Sequence, residues 1–196
     1  MKNQLLFLAA LLALAVLSCD NKFKYDEKQK ARETAESSGK IIDTIFLDYR
    51  FGMTEEELNE HTKTLRKQGK LDAEYQYTLK GHLEEYKCTI HPKFFDGKLY
   101  ELLIATKPAG STELAELKMV SIVQEKYRES FVKEDKLGVT DCERYNFFIG
   151  NLTVNIMCSI YGDVYLTYSD NRISTKAFMQ EDSLKKLEEN KTLQDF

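Results

Sequence analysis

Apolar and polar positions recur with a different period in each stretch of this 196-residue chain, and the periods predict its elements. Leu5 to Leu17 is an unbroken apolar run behind Lys2, followed by small Ser18 and by Cys19. A membrane-spanning helix needs about 20 such residues, whereas this run has the length of a signal-peptide core, so 1–18 is expected to be cut away. Charge then dominates from Asp20 to Lys40, and Ser37-Ser38-Gly39 closes the stretch. Such a segment buries too little apolar surface to order itself firmly, which predicts a flexible polar tether over 19–40 with a reach of about 25 Å, part of Tyr25–Glu36 forming at most a transient helix.

A single domain is expected over 41–196. Ile41, Ile45, Leu47, Tyr49 and Phe51 fall mostly on every second position, the mark of a half-buried extended segment. Thr54 and Glu57 have the spacing of a capping box, and Met53 and Leu58 that of a hydrophobic staple, so a helix starts there and ends at Gly69. Glu55, Glu56 and Glu57 suit the positive end of its dipole. From Ala73 the period changes to two. Strands are predicted over Ala73–Leu79, over Tyr86–Ile90 with His91-Pro92 closing it, and over Leu99–Thr106 behind an Asp96-Gly97 turn.

Pro108 to Thr112 breaks the pattern and caps a second helix over Glu113–Ser130, with Leu114, Leu117, Val120, Val123 and Tyr127 as its expected inner stripe. Met119 and Ile122 fall outside that stripe, which predicts a helix covered on two sides or one with an exposed apolar patch. After a polar loop come strands over Arg144–Ile149, Leu152–Ile160 and Val164–Ser169, divided at Gly150-Asn151 and Gly162-Asp163. A last helix is expected over 176–189. The fold class that follows is α+β: an antiparallel sheet with helices on one face, built from two successive helix-plus-three-strand halves (about 41–107 and 108–172) and a C-terminal helix.

The chain carries 28 basic and 32 acidic side chains, and loss of 1–18 removes Lys2 and no acid. No basic block with interleaved aromatics occurs, so no nucleic-acid partner is expected. Cys88, Cys142 and Cys158 remain beside Cys19 and allow one internal bridge. A two-residue turn at Gly150-Asn151 pairs 142 with 159 and sets the sulfurs of Cys142 and Cys158 on opposite faces, so buried thiols are the expectation.

Val16-Leu17-Ser18-Cys19 resembles the lipobox of bacterial lipoproteins, which implies a lipid on the Cys19 sulfur, cleavage before it and a membrane anchor at the cell envelope, the outer membrane before the inner. Phe51-Gly52-Met53-Thr54 resembles the turn that opens the first helix of BamE/SmpA small lipoproteins and of β-lactamase-inhibitor-protein-like modules. Together with Asp96-Gly97-Lys98-Leu99-Tyr100 and Val164-Tyr165-Leu166-Thr167-Tyr168, it is similar to surface lipoproteins of the Bacteroidota. These resemblances imply helices packed on an antiparallel sheet.

Candidate chemistry is sparse. His82, Cys88 and His91 have metal-like spacing, but strand alternation sets 88 and 91 on opposite faces, so no metal and no cofactor are expected. Glu57 and His61 share a helix face as a solvated pair or, alternatively, an acid–base pair. No nucleophile elbow, zinc helix, phosphate loop or dinucleotide fingerprint occurs among the 196 residues. The leading expectation is a non-catalytic, lipid-tethered module that binds another envelope protein through its sheet face or its second helix. Tyr75, Tyr77, Tyr86, Tyr100, Tyr165 and Tyr168 on predicted strands are the candidate contacts. The alternatives are a glycan- or small-ligand-binding surface lipoprotein, against which the absence of Trp counts mildly, and an enzyme of unrecognised type.

Overall fold

The computed structural model describes residues 27–72, 76–80, 85–108, 110–134, 143–180 and 182. The expectations for Met1–Ser18, Cys19, Tyr75, His82, Cys142 and 183–196 lie outside them. Its strands are β1 (Gln76–Lys80), β2 (Glu85–Phe95), β3 (Lys98–Thr106), β4 (Val132–Glu134), β5 (Arg144–Ile149), β6 (Leu152–Cys158) and β7 (Val164–Asp170). Its helices are α1 (27–37), α2 (Glu55–Lys67), α3 (Thr112–Tyr127) and α4 (171–180). All seven strands pair antiparallel in the order β1-β2-β3-β7-β6-β5-β4, so β3 and β7 meet at the centre. None of the described helices is long and apolar enough to cross a membrane.

Local chemistry explains the best-defined boundaries. Thr54 accepts from the Glu57 amide while Glu57 accepts from the Thr54 amide, the reciprocal cap that starts α2, and Gly69 ends it in the left-handed region. Asp96 and Gly97 both take positive φ, the requirement of a two-residue hairpin turn whose twist matches its strands. β2 runs on through Pro92 instead of closing there. Past Thr89, where its described pairing with β1 ends, it continues against β3, with Pro92 opposite Leu102.

One core unites α2, α3 and a single sheet face, with Tyr49, Phe147, Tyr168 and Leu58 among its most deeply buried side chains. Three expectations are corrected in it. The segment 41–51 is not extended: Phe46–Asp48 is a 3-10 turn in which Leu47 and Asp48 have positive φ, and Ile45 donates to the Tyr49 carbonyl across it. His61 donates to the Leu47 carbonyl and Lys126 to the Ile45 carbonyl, which pins the turn to α2 and α3. The inner face of α3 is Ala115, Glu116, Met119, Val120 and Val123, leaving Leu114 48 % and Leu117 46 % exposed. Hydrophobic residues lie all round this helix, so contact with β6 and β7, not sequence period, selects its face. Finally, the polar loop after α3 contains β4, paired with β5 over three residues.

The chain ends of the domain depart further from expectation. Residues 27–37, expected to be part of a flexible tether, are helical, with Lys28 paired to Glu134 of β4 at 2.6 Å. α4 begins at 171 and not at 176, because Asp170 accepts from the Arg172 amide and caps it. Cys158 is disulfide-bonded to a partner outside the described residues, contrary to the expectation of a thiol, whereas Cys88 is a buried thiol that donates to the Tyr86 carbonyl.

Candidate functional site: the open sheet face and its groove

Strand alternation that sends one set of side chains into the core raises the other set onto the opposite face. Cross-strand register arranges these in rows. Lys93, Glu101, Ser169, Thr153 and Phe148 stand side by side across β2, β3, β7, β6 and β5. The next row is His91, Leu103, Thr167, Asn155 and Asn146, and the third holds Ala105, Tyr165, Met157 and Arg144. Adjacent strands are about 4.8 Å apart, so a row of five spans about 19 Å. Most of these side chains are half-buried, so helices do not roof this face as they roof the other.

α1 and α4 instead border it, which corrects the expectation of helices on one face only. Lys28, Gln29 and Arg32 of α1 and Ser174, Thr175 and Phe178 of α4 stand over the first row, and the hollow between them and the sheet holds about 650 Å³. A second hollow of about 730 Å³ continues between α1, residues 39–41 and Arg172, sharing Gln29, Arg32, Asn171 and Thr175 with the first. The two therefore lie side by side, walled by the same four side chains, and are referred to together as the groove. A β-bulge opposite Lys93 brings consecutive Tyr100 and Glu101 onto its wall.

Charge on the groove is cancelled pair by pair. Lys93 meets Glu101 at 2.7 Å, Lys28 meets Glu134 at 2.6 Å, Arg32 meets Glu36 at 2.9 Å, and Lys40 meets Glu129 at 3.5 Å. Arg172 joins buried Asp170 at 2.6 Å to Asp43 at 3.0 Å, and these two carboxylates hold its guanidinium protonated. Hydroxyls and amides fill the spaces between. Ser169 donates to Glu101 and Thr153 donates to Asn171 Oδ1 at 2.8 Å. Asn171 Nδ2 has no partner among the described residues, nor has Oδ1 of fully buried Asn146.

The tyrosines divide between the two faces. Tyr86 and Tyr168 are core, with burial raising the Tyr168 hydroxyl above its ordinary pKa, and Tyr77 packs edge-on against Phe46 at 5.2 Å. Tyr100 and Tyr165 lie half-buried on the open face, where Tyr165 donates to Asp163 at 3.4 Å. Sequence reasoning missed Thr153, Asn155, Ser169 and Asn171. Their only signal was polar alternation in β6 and β7, which an ordinary solvated face also has.

Other candidate groups fall elsewhere. Cys88 is in the core and His91 on the open face beside Thr89, the opposition expected from alternation, and the described residues contain no cluster able to hold a metal ion. Glu57 caps α2 and His61 holds Leu47, so they form no acid–base pair. Away from the groove, Glu116 of α3 is buried near Glu113, Glu143 and Lys133, and Tyr145 donates to Glu143 at 2.7 Å.

Burial, then Glu143 and Glu113, push the Glu116 carboxyl from 4.5 up to about 7 against the pull of Lys133. Between those values the folded state keeps a proton that the unfolded chain has lost, so stability falls as pH rises through that window. Glu116→Gln is expected to flatten this decline, on the order of 3 kcal/mol at about 1.4 kcal/mol per pH unit, in urea midpoints measured across the window.

No protein-family model, no curated protein and no solved structure matches the chain.

Proposed function

We propose that the chain is a non-catalytic protein of the bacterial cell envelope, lipid-anchored through Cys19 at the outer membrane, whose recognition surface is the open face of the sheet. The observation that carries the reading is the groove: helices cover one face, while the other stays accessible between α1 and α4 and holds Tyr100 and Tyr165. Ligand sites are concave, with a few convergent polar groups among apolar ones, and the groove has that form. Its charged groups are tied to one another in ion pairs, which suits a fixed binding surface better than a free nucleophile or base. The tandem arrangement of BLIP-like and BamE-like modules belongs to the same proposal, supported by the occurrence of helix-then-strands twice in the element order and by the central β3–β7 pair.

Location and anchor have their own support. A disulfide at Cys158 suits an oxidising compartment outside the cytoplasm. With Cys19 carrying lipid and Cys88 a thiol, Cys142 is left as the partner of Cys158. Peptide mapping without reduction is expected to recover a Cys142–Cys158 peptide, and a Cys19–Cys158 peptide would refute the anchor. Labelled palmitate is expected to enter the wild type and not Cys19→Ala, which should leave the membrane fraction.

The surface is tested by placing a photo-crosslinking residue at Tyr165 on the open face, or at Leu117 on the exposed side of α3, in cells of the native host. Discrete adducts from position 165 and none from 117 are expected. Adducts from 117 alone would move recognition to the second helix.

A further inference from the structure

We infer that the groove takes a neutral, hydroxyl-rich chain of several units, an oligosaccharide, an inference that rests on the open face being the recognition surface. Four features argue for this class. Every charged side chain described on the groove has an opposite partner at 3.5 Å or less, so charge is balanced locally and the groove presents no excess of either sign to attract an ionic ligand. Between those pairs stand the short side chains of Thr153, Asn155, Ser169, Asn171 and Thr175: the three hydroxyls donate within the protein and keep lone pairs with which to accept, while Asn171 Nδ2, without a partner among the described residues, is open to donate, a set that suits the hydroxyls of a polyol. Tyr100 from β3, Phe148 from β5 and Phe178 from α4 supply apolar rings on three sides, against which the C–H faces of sugar rings pack. The two hollows adjoin at Gln29, Arg32, Asn171 and Thr175, and a ligand of several units could occupy both.

An extended peptide fits less well. Peptides commonly bind sheets by adding a strand at an edge, where main-chain groups are open, and then seat alternate apolar side chains in pockets. The groove lies over the middle strands, whose main-chain groups are already used in β3–β7 and β6–β7 pairing, and its floor is hydroxyl and amide. Side-chain donors and acceptors are what this floor offers.

The experiment is calorimetry on the full lipidated chain in detergent micelles. The probes are hexasaccharides of glucose, xylose, mannose and N-acetylglucosamine, their disaccharides, and a hexauronate as the anionic control. At least one neutral hexasaccharide is expected to bind saturably, about tenfold or more tighter than its disaccharide, with little change from low to high salt. Tyr100→Ala and Asn155→Ala are expected to weaken it about tenfold, and Leu117→Ala on α3 to leave it unchanged. Phe178→Ala repeats the test at a side chain 70 % exposed, where folding is not at stake. Salt-sensitive binding of the hexauronate alone overturns the neutral class. No sugar binding, with adducts to a protein from position 165, overturns the oligosaccharide and leaves the open face standing. Absence of both brings down both.

Discussion

Gly150→Ala is expected to lower unfolding stability by about 3 kcal/mol or more, read as a fall in urea midpoint without change of slope. A Cβ at this position would lie 1.9 Å from the Lys40 carbonyl oxygen, and the backbone has a φ of +60°. The obstacle is main chain and has no rotamer to change. Nor can the 40–42 segment part easily from the β5–β6 turn, since the Asn151 amide donates to that same carbonyl and the Asn151 side chain bonds both the amide and the carbonyl of Ile42. Gly97→Ala is the control. Its φ is +70° with open space around the new methyl, so it bears the conformational cost alone, about 1 kcal/mol. The excess at Gly150 measures how firmly the segment after α1 is seated on the β5–β6 turn, and with it one wall of the groove.

Arg172→Ala is expected to cost about 3 kcal/mol, because it strands a carboxylate that is 0 % exposed. Arg172 Nε and its terminal nitrogen hold both oxygens of Asp170 at 2.6–3.1 Å, while the same guanidinium reaches Asp43. Nearly half of the Arg172 side chain faces water, which places the loss at the low end for a broken buried pair. Asp170→Asn combined with Arg172→Ala is expected to recover part of it, since the residue left behind is then neutral. A double variant no better than Arg172→Ala would assign the loss to the Asp43 link and to packing. Either result bears on the groove, because Arg172 joins the start of α4 to the 41–51 segment.

Sequence legibility followed the range of the forces involved. The cap of α2 and the Asp96-Gly97 turn are settled within four residues, and both stand where the sequence places them. β5 has its predicted bounds because its neighbours are the next hairpin strands. Long-range choices were hidden. α3 has apolar side chains all round, so the burial of Met119 and Glu116 over Leu114 and Leu117 is decided by the sheet beneath it. β4 is three residues long and exists through pairing with β5. α1 has no apolar stripe to announce it and is anchored by an ion pair with β4.

The site was the least legible part for the same reason. Six tyrosines were named for their chemistry, and the register sends Tyr86 and Tyr168 inward while a bulge in β3 carries Tyr100 to the groove wall. The row from Lys93 to Phe148 gathers residues from five strands, and no local pattern links them.

Labelling of a single introduced thiol tests the occupied-face account most directly. Thr167→Cys sits mid-sheet on the open face, Leu117→Cys on the exposed side of α3, and native Cys88 is buried and slow to react. In the purified chain both new thiols should react with a maleimide; in intact native envelopes position 117 should react as before and position 167 should be shielded. Equal reaction at 167 in both settings, or none in the purified chain, would contradict it.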